Sequence, residues 1–232
     1  MSDKKDISRS SRAEIDAFLN KVAATPIAKQ TAGRGRLMFA LDATASRELT
    51  WDQACHIQGE MFQATAGLGG LDIQLVYYRG FAEFYASPWL NNSDMLLETM
   101  TAVRCLGGYT QIHKVLQHAL QESKRKKVNA LVFVGDCMEE NLDALCDLAG
   151  QLALQGVPMF IFHEGTDAVA ATAFRQIAQI TGGACCPFDV NSAQQLKDLL
   201  SAVAVYAAGG QKALQDFNRR KGSVVLQLMH KK

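Results

Sequence analysis

The sequence predicts an α/β protein built on a doubly wound, mostly parallel sheet with one antiparallel edge strand and helices on both faces. Three observations predict it. Short apolar runs recur at Leu37-Met38-Phe39-Ala40-Leu41, from Ile73 to Tyr78 (broken only by Gln74), from Ala130 to Val134 and from Val157 to Phe162; such runs suit strands buried on both faces. Helical stretches beginning near Thr50, Thr110, Asn141 and Asp167 separate them, and that alternation is the mark of a parallel sheet covered by helices. The chain has 232 residues, enough for one such domain and short for two independent cores.

Taken in order, the first element is an amphipathic helix from Ser10 to Val22, with Ile15, Phe18, Leu19 and Val22 at helical spacing behind a serine cap. Pro26 and Gly33-Arg34-Gly35 form a hinge, and the first strand ends on Asp42. After Tyr78, Arg79-Gly80 signals a tight turn, so the segment from Phe81 to Tyr85 is expected to return antiparallel at one edge. From Ser192 to Ala208, Leu196, Leu199, Leu200 and Val203 share a helical face closed by Gly209-Gly210, and a second short helix from Gln211 to Arg219 follows. The segment from Ser223 to Met229 carries Val-Val-Leu-Gln-Leu between basic residues and suits an added edge strand or a tail. The chain thus divides into an N-terminal helix and linker (1–36), the α/β domain (37–208) and a C-terminal helix with a strand-like tail (209–232).

Charged residues at 20% and hydrophobic residues at 48% exclude a disordered chain. A net charge of +1 exerts no general pull on nucleic acid or on a membrane. The segment from Met1 to Ser11 is polar, unlike a secretory signal, and no later stretch is apolar enough to span a bilayer, so a cytoplasmic location is expected. The six cysteines lack metal-ligand spacing and are expected to be reduced and mostly buried. His113, His118 and His163 are expected in surface or loop roles, and Lys124-Arg125-Lys126-Lys127 reads as a solvated helix terminus. Of the two tryptophans, Trp89 is the better interface candidate, because it follows Pro88 in a loop.

In an open α/β sheet the ligand site lies beyond the carboxyl ends of the strands. Asp42-Ala43-Thr44-Ala45-Ser46 follows the first strand there, and Gly135-Asp136 follows the central one. Gly107-Gly108-Tyr109-Thr110 precedes a helix, its glycines allowing a tight loop and its threonine lying near the helix start. Two carboxylates and three hydroxyls, with no histidine or thiolate among them, describe a site for Mg²⁺, Mn²⁺ or Ca²⁺ rather than zinc or copper, and their summed charge of minus two balances one divalent cation. The chain carries no Gly-x-x-x-x-Gly-Lys-Ser/Thr loop, no Gly-x-Gly-x-x-Gly, no Gly-x-Ser-x-Gly and no Asp-x-Asp pair after the first strand. No catalytic activity is therefore expected; a magnesium-dependent hydrolase or phosphotransferase using an aspartate nucleophile is the weaker alternative.

Asp-x-Thr-x-Ser after the first strand, Gly-Gly-x-Thr before a helix and Gly-Asp after the central strand together resemble the metal-ion-dependent adhesion site of von Willebrand factor A domains, over roughly Leu37 to Ala208. The resemblance implies that Thr44, Ser46 and Thr110 touch a divalent cation, Mg²⁺ by preference, directly or nearly so. It implies that Asp42 and Asp136 act through water, and that an Asp or Glu carboxylate of a protein partner takes the remaining position. The implied role is a non-enzymatic, cation-dependent binding module in an intracellular multi-protein machine such as one built on an AAA+ ATPase. A metal-independent scaffold with the same fold is the alternative. Thr44 stands where serine is usual, which keeps the hydroxyl. Cys137-Met138-Glu139-Glu140-Asn141 replaces a more frequent glycine and is expected to bring two acidic side chains beside the site, repelling an acidic partner or recruiting a basic one. Without metal, Asp42 and Asp136 are expected to repel, leaving looser loops or one carboxylate protonated.

Overall fold

The structure, a computed structural model, describes residues 12–25, 34–47, 70–188, 198, 200–210 and 213–217. Strands β1 (Gly35–Asp42), β2 (Leu71–Arg79), β3 (Glu83–Ala86), β4 (Ala130–Gly135), β5 (Met159–Glu164) and β6 (Ala184–Phe188) form one six-stranded sheet in the order β3-β2-β1-β4-β5-β6. All pairings are parallel except β2 with β3, which the turn at Gly80 makes antiparallel. Gly80 has φ +58, a left-handed value that glycine adopts without strain. The sheet is of the predicted class, mostly parallel with one antiparallel edge strand.

Side-chain alternation along the strands divides the core into two layers. Leu37, Phe39 and Leu41 of β1 face one way and pack with Val132, Val134, Phe160 and Phe162. Three helical elements cover that face: α1 (Arg12–Ala24) through Phe18 and Val22, α2 (Ser93–Thr101) through Leu96 and Met100, and residues 200–210 through Leu200 and Val203. Met38 and Ala40 face the other way, with Leu131, Phe133, Met159 and Ile161, under α3 (Ile112–Arg125), α4 (Leu142–Leu154) and α5 (Ala168–Ile180). Each fully buried Leu, Ile or Phe contributes about 1.5–3 kcal/mol, and a strand buried on both faces gathers this at nearly every position. That explains why β1 and β4 read as unbroken apolar runs.

Helix α2 was not anticipated. Asn92 caps it by accepting from the Asp94 amide at 2.6 Å, and only Leu96 and Met100 are buried, one turn apart. Exposed Met95 and Leu97 flank Leu96 and blur the period. The helix expected near Thr50 and the strand-like segment from Ser223 to Met229 lie outside the described residues.

Several side chains expected at the surface are structural instead. Trp89 is half-buried, with the Arg36 guanidinium 3.7 Å from its ring centroid and its indole N–H donated to Glu122 at 2.7 Å. His163 lies on β5 at 3% exposure, edge-on to Phe174, and burial lowers its pKa. His118 contacts the Gln74 side-chain oxygen at 3.0 Å and Phe84 edge-on, and burial lowers its pKa as well. Lys124, Arg125 and Lys126 are exposed at the end of α3, as expected of a solvated terminus, whereas Lys127 turns in to donate to the carbonyls of Gln155 and Gly156 behind α4. Of the cysteines described, Cys105, Cys137, Cys146, Cys185 and Cys186 form no disulfide with one another, and only Cys186 is buried; the others are half-buried. Among the described residues no helix is long and apolar enough to cross a membrane.

Candidate metal centre

The parallel register sets Asp42, the last residue of β1, beside Tyr78 of β2, and β4 on the other side ends at Gly135, immediately before Asp136. The carboxyl ends of three adjacent strands thus meet at one point. Asp42 is fully buried. Its Oδ1 accepts from the Thr44 amide at 2.7 Å and its Oδ2 accepts from the Tyr78 hydroxyl at 3.0 Å. A one-turn 3-10 helix, Ala45–Arg47, follows and turns Ser46 back so that its hydroxyl is 3.1 Å from that of Thr44. Thr44 is buried and Ser46 exposed.

Loop 106–110 closes the site from the side. The Leu106 amide donates to the Ala43 carbonyl at 3.1 Å and the Tyr109 amide to the Gly80 carbonyl at 3.2 Å. A Cβ on Gly108 would stand 1.8 Å from that Gly80 oxygen, so of the two glycines this one is required for the close approach. Thr110, at 5% exposure, is joined to the loop after β4 by a reciprocal pair: its amide donates to Glu139 Oε2 at 3.0 Å and its hydroxyl accepts from the Glu139 amide at 3.1 Å. Glu140 caps α3 from outside, accepting from the Ile112 amide at 2.5 Å and the His113 amide at 2.9 Å. The two acids expected to confront a partner are therefore engaged at the start of α3, where the helix dipole favours negative charge. Gln111, at the cap position, makes no side-chain cap bond; its side-chain amide donates instead to the Arg79 and Glu83 carbonyls, each at 3.3 Å.

Asp42, Asp136 and Cys137 can each offer one ligand atom, and these three atoms lie within 4.8 Å of one another. Asp136 Oδ1 is buried and has no hydrogen-bond partner among the described residues. Neither aspartate forms an ion pair with a described lysine or arginine. Burial raises the Asp42 pKa, the bonds from Thr44 pull it back, and the charge of Asp136 pushes it up again, with a net rise. The Cys137 thiol is pushed up to about 12, first by burial and then by Asp136 and Asp42. A buried carboxylate facing a second acid without a cation is costly, and an orphaned carboxylate oxygen such as Asp136 Oδ1 is what a bound cation satisfies. The donor set fits a divalent ion.

Sequence reasoning brought Asp42, Thr44, Ser46, Thr110 and Asp136 to this end of the sheet but missed two participants. Tyr78 was read only as the end of a strand, and its role depends on the β1–β2 register. Cys137, next to Asp136, was seen only as part of a variant loop.

No protein family and no curated protein matches the chain. Solved structures match its fold. The SpRpn10 VWA domain aligns with a TM-score of 0.57 at 16% identity over 72% of this chain and 94% of that one. The PilB minor pilin from Streptococcus sanguinis aligns at 0.55 and 10% identity, over 81% and 63%. Proximal thread matrix protein 1 from the mussel byssus, with its metal-ion-dependent adhesion site occupied by zinc, aligns at 0.58 and 16% identity, over 75% and 45%. The chain thus spans nearly all of the first and under two thirds of the other two. The architecture is that of a von Willebrand factor A domain.

Proposed function

We propose that this chain is a non-enzymatic binding module that holds one divalent cation through Asp42, Thr44, Ser46, Thr110 and Asp136 and presents it to a protein partner. The observation that carries the reading is buried Asp42 beside half-buried Asp136, whose Oδ1 is itself buried and unpartnered among the described residues, at the carboxyl ends of the central strands. A divalent cation would supply the positive charge these acids lack, and a partner's Asp or Glu would complete its shell. The five oxygens taken alone suit Mg²⁺, with Mn²⁺ or Ca²⁺ as alternatives. The role is envisaged inside a multi-protein machine in the cytoplasm, one powered by an AAA+ ATPase being one such setting.

The surface beside Thr110 suits docking. Phe81 and Tyr109, 77% and 59% exposed, meet edge to face at 5.5 Å, and Leu106 is also exposed. An aromatic pair next to a charged centre is the composition of a binding hot spot. Trp89, by contrast, is committed to Arg36 and Glu122.

The test is calorimetric titration of EDTA-stripped protein with Mg²⁺, Mn²⁺ and Ca²⁺, with and without acetate as a stand-in for the partner's carboxylate, beside a Thr44→Ala/Ser46→Ala double variant. Saturable one-to-one binding that the variant loses is the expected result. A wild type that binds none of these ions, nor Zn²⁺, even with acetate would leave the metal-independent scaffold as the reading.

A further inference from the structure

The oxygen donors of the centre are not equally available. The hydroxyls of Thr44 and Ser46 face each other at 3.1 Å, and the Thr110 hydroxyl accepts from the Glu139 amide. Both Asp42 oxygens accept hydrogen bonds from Thr44 and Tyr78. Asp136 Oδ1 is buried without a partner, and the Cys137 sulfur makes no hydrogen bond to any described residue. The two uncommitted donors are therefore neighbours in sequence, one hard and one soft, and both belong to the cluster that closes on Asp42 within 4.8 Å.

We infer that Cys137 is a ligand of the cation, which makes this a centre for a thiolate-accepting ion of the zinc class rather than for magnesium. The inference rests on the cation-binding reading above and adds the ligand that sets selectivity. Thiolate favours zinc and disfavours magnesium, which takes oxygen donors and keeps much of its water. On binding, the Cys137 sulfur forms the metal bond as its S–H bond breaks, and the proton leaves to solvent. With zinc bonds of about 2.3 Å to sulfur and about 2.0–2.2 Å to oxygen in a tetrahedral shell, donors that now lie within 4.8 Å of one another need to draw together by at most about 1.4 Å. One thiolate and two carboxylates around zinc carry less negative charge than the four thiolates of a Cys₄ site, so charge does not bar a further carboxylate from a partner.

Metal-stripped full-length protein would be titrated with Co²⁺, a spectroscopic substitute for zinc, and separately with Zn²⁺ and Mg²⁺, for the wild type, Cys137→Ser, Cys146→Ser and Asp136→Asn. The expected result is one Co²⁺ per chain with a near-ultraviolet thiolate-to-cobalt charge-transfer band. That band is absent in Cys137→Ser and retained in Cys146→Ser. Cys137→Ser should weaken Zn²⁺ binding at least about 10–100-fold, the range seen even for losses outside the ligand shell, and leave Mg²⁺ binding little changed. Asp136→Asn should weaken both ions. Cation binding with no charge-transfer band, or Zn²⁺ affinity equal in wild type and Cys137→Ser, overturns the assignment of Cys137 while leaving the cation site intact. A band that survives in Cys137→Ser overturns it too, by locating the thiolate elsewhere. Absence of any binding by the wild type overturns this inference and the cation-binding reading together.

Discussion

Arg36 and Asp42 stand near opposite ends of β1, both buried, and their surroundings differ. Arg36 donates to Glu122 at 3.1 Å and to the Lys126 carbonyl, and lies over the face of Trp89. Glu122 receives two further donors, the Trp89 indole at 2.7 Å and Arg125 at 2.9 Å. Burial pushes its carboxyl up, but those bonds and the charges of His118 and Arg36 outweigh burial and hold it below the usual value. Asp42, at the other end, has only neutral donors and faces a second acid, and its pKa is raised. One end of the sheet completes its own charge balance, and the other sets two carboxyl groups together with no described cationic side chain beside them. A self-satisfied cluster supports the fold, whereas an unbalanced one is poised to bind.

The sharpest way to break this comparison is Glu122→Ala. It strands Arg36, whose side chain is 6% exposed, and removal of one partner from a buried pair costs about 3–5 kcal/mol. Urea denaturation should show that loss, and a change under about 1 kcal/mol would mean the Arg36 end does not carry the fold.

Glu140→Ala tests how firmly the binding end is held. It removes the only side-chain cap described for the start of α3, and loss of a helix N-cap costs about 1–2 kcal/mol. The same variant should weaken cation binding if the loop carrying Asp136 is positioned through α3, which calorimetry would read.

The pH dependence of the metal-stripped protein should have the opposite sign to ordinary acid denaturation over one window. Because the folded Asp42 pKa lies above its usual 3.8, the folded state holds the proton more tightly than the unfolded chain. The stabilisation this provides is full below pH 3.8 and is lost as pH rises through the raised folded value. Asp42→Asn should remove that component, and saturating cation should reverse it. Melting curves across the acid range, with and without metal, decide this. If the variant and the wild type respond identically to pH, Asp42 is not the group under strain.

Arg125→Ala should have the smallest effect. Arg125 binds the same carboxylate as Arg36 but its side chain is 76% exposed, so the cost should be within about 0.5 kcal/mol. A loss comparable with that of Glu122→Ala would show that exposure does not separate the two arginines.

The strands and most helices were legible because burial on both faces leaves a local trace, an unbroken apolar run of fixed length. The helix Ser93–Thr101 was not, since a helix covering the edge of a sheet buries too few residues to set a period. The place of the oxygen side chains at one end of the sheet was legible for a related reason: these residues follow strand ends or precede a helix start, and such boundaries can be counted along the chain.

The sequence by itself determined the α/β class, the antiparallel edge and the end of the sheet where Asp42, Thr44, Ser46, Thr110 and Asp136 gather, because hydrophobic period and turn chemistry are local. Only the tertiary structure decided who meets whom across the sheet. Register put Tyr78 on Asp42, the loop after β4 turned Glu139 and Glu140 toward α3 while leaving the Cys137 sulfur beside the aspartates, and the far end drew Trp89 onto Arg36. Those contacts join residues far apart in the chain, and local sequence carries no information about which distant partner arrives at a given atom.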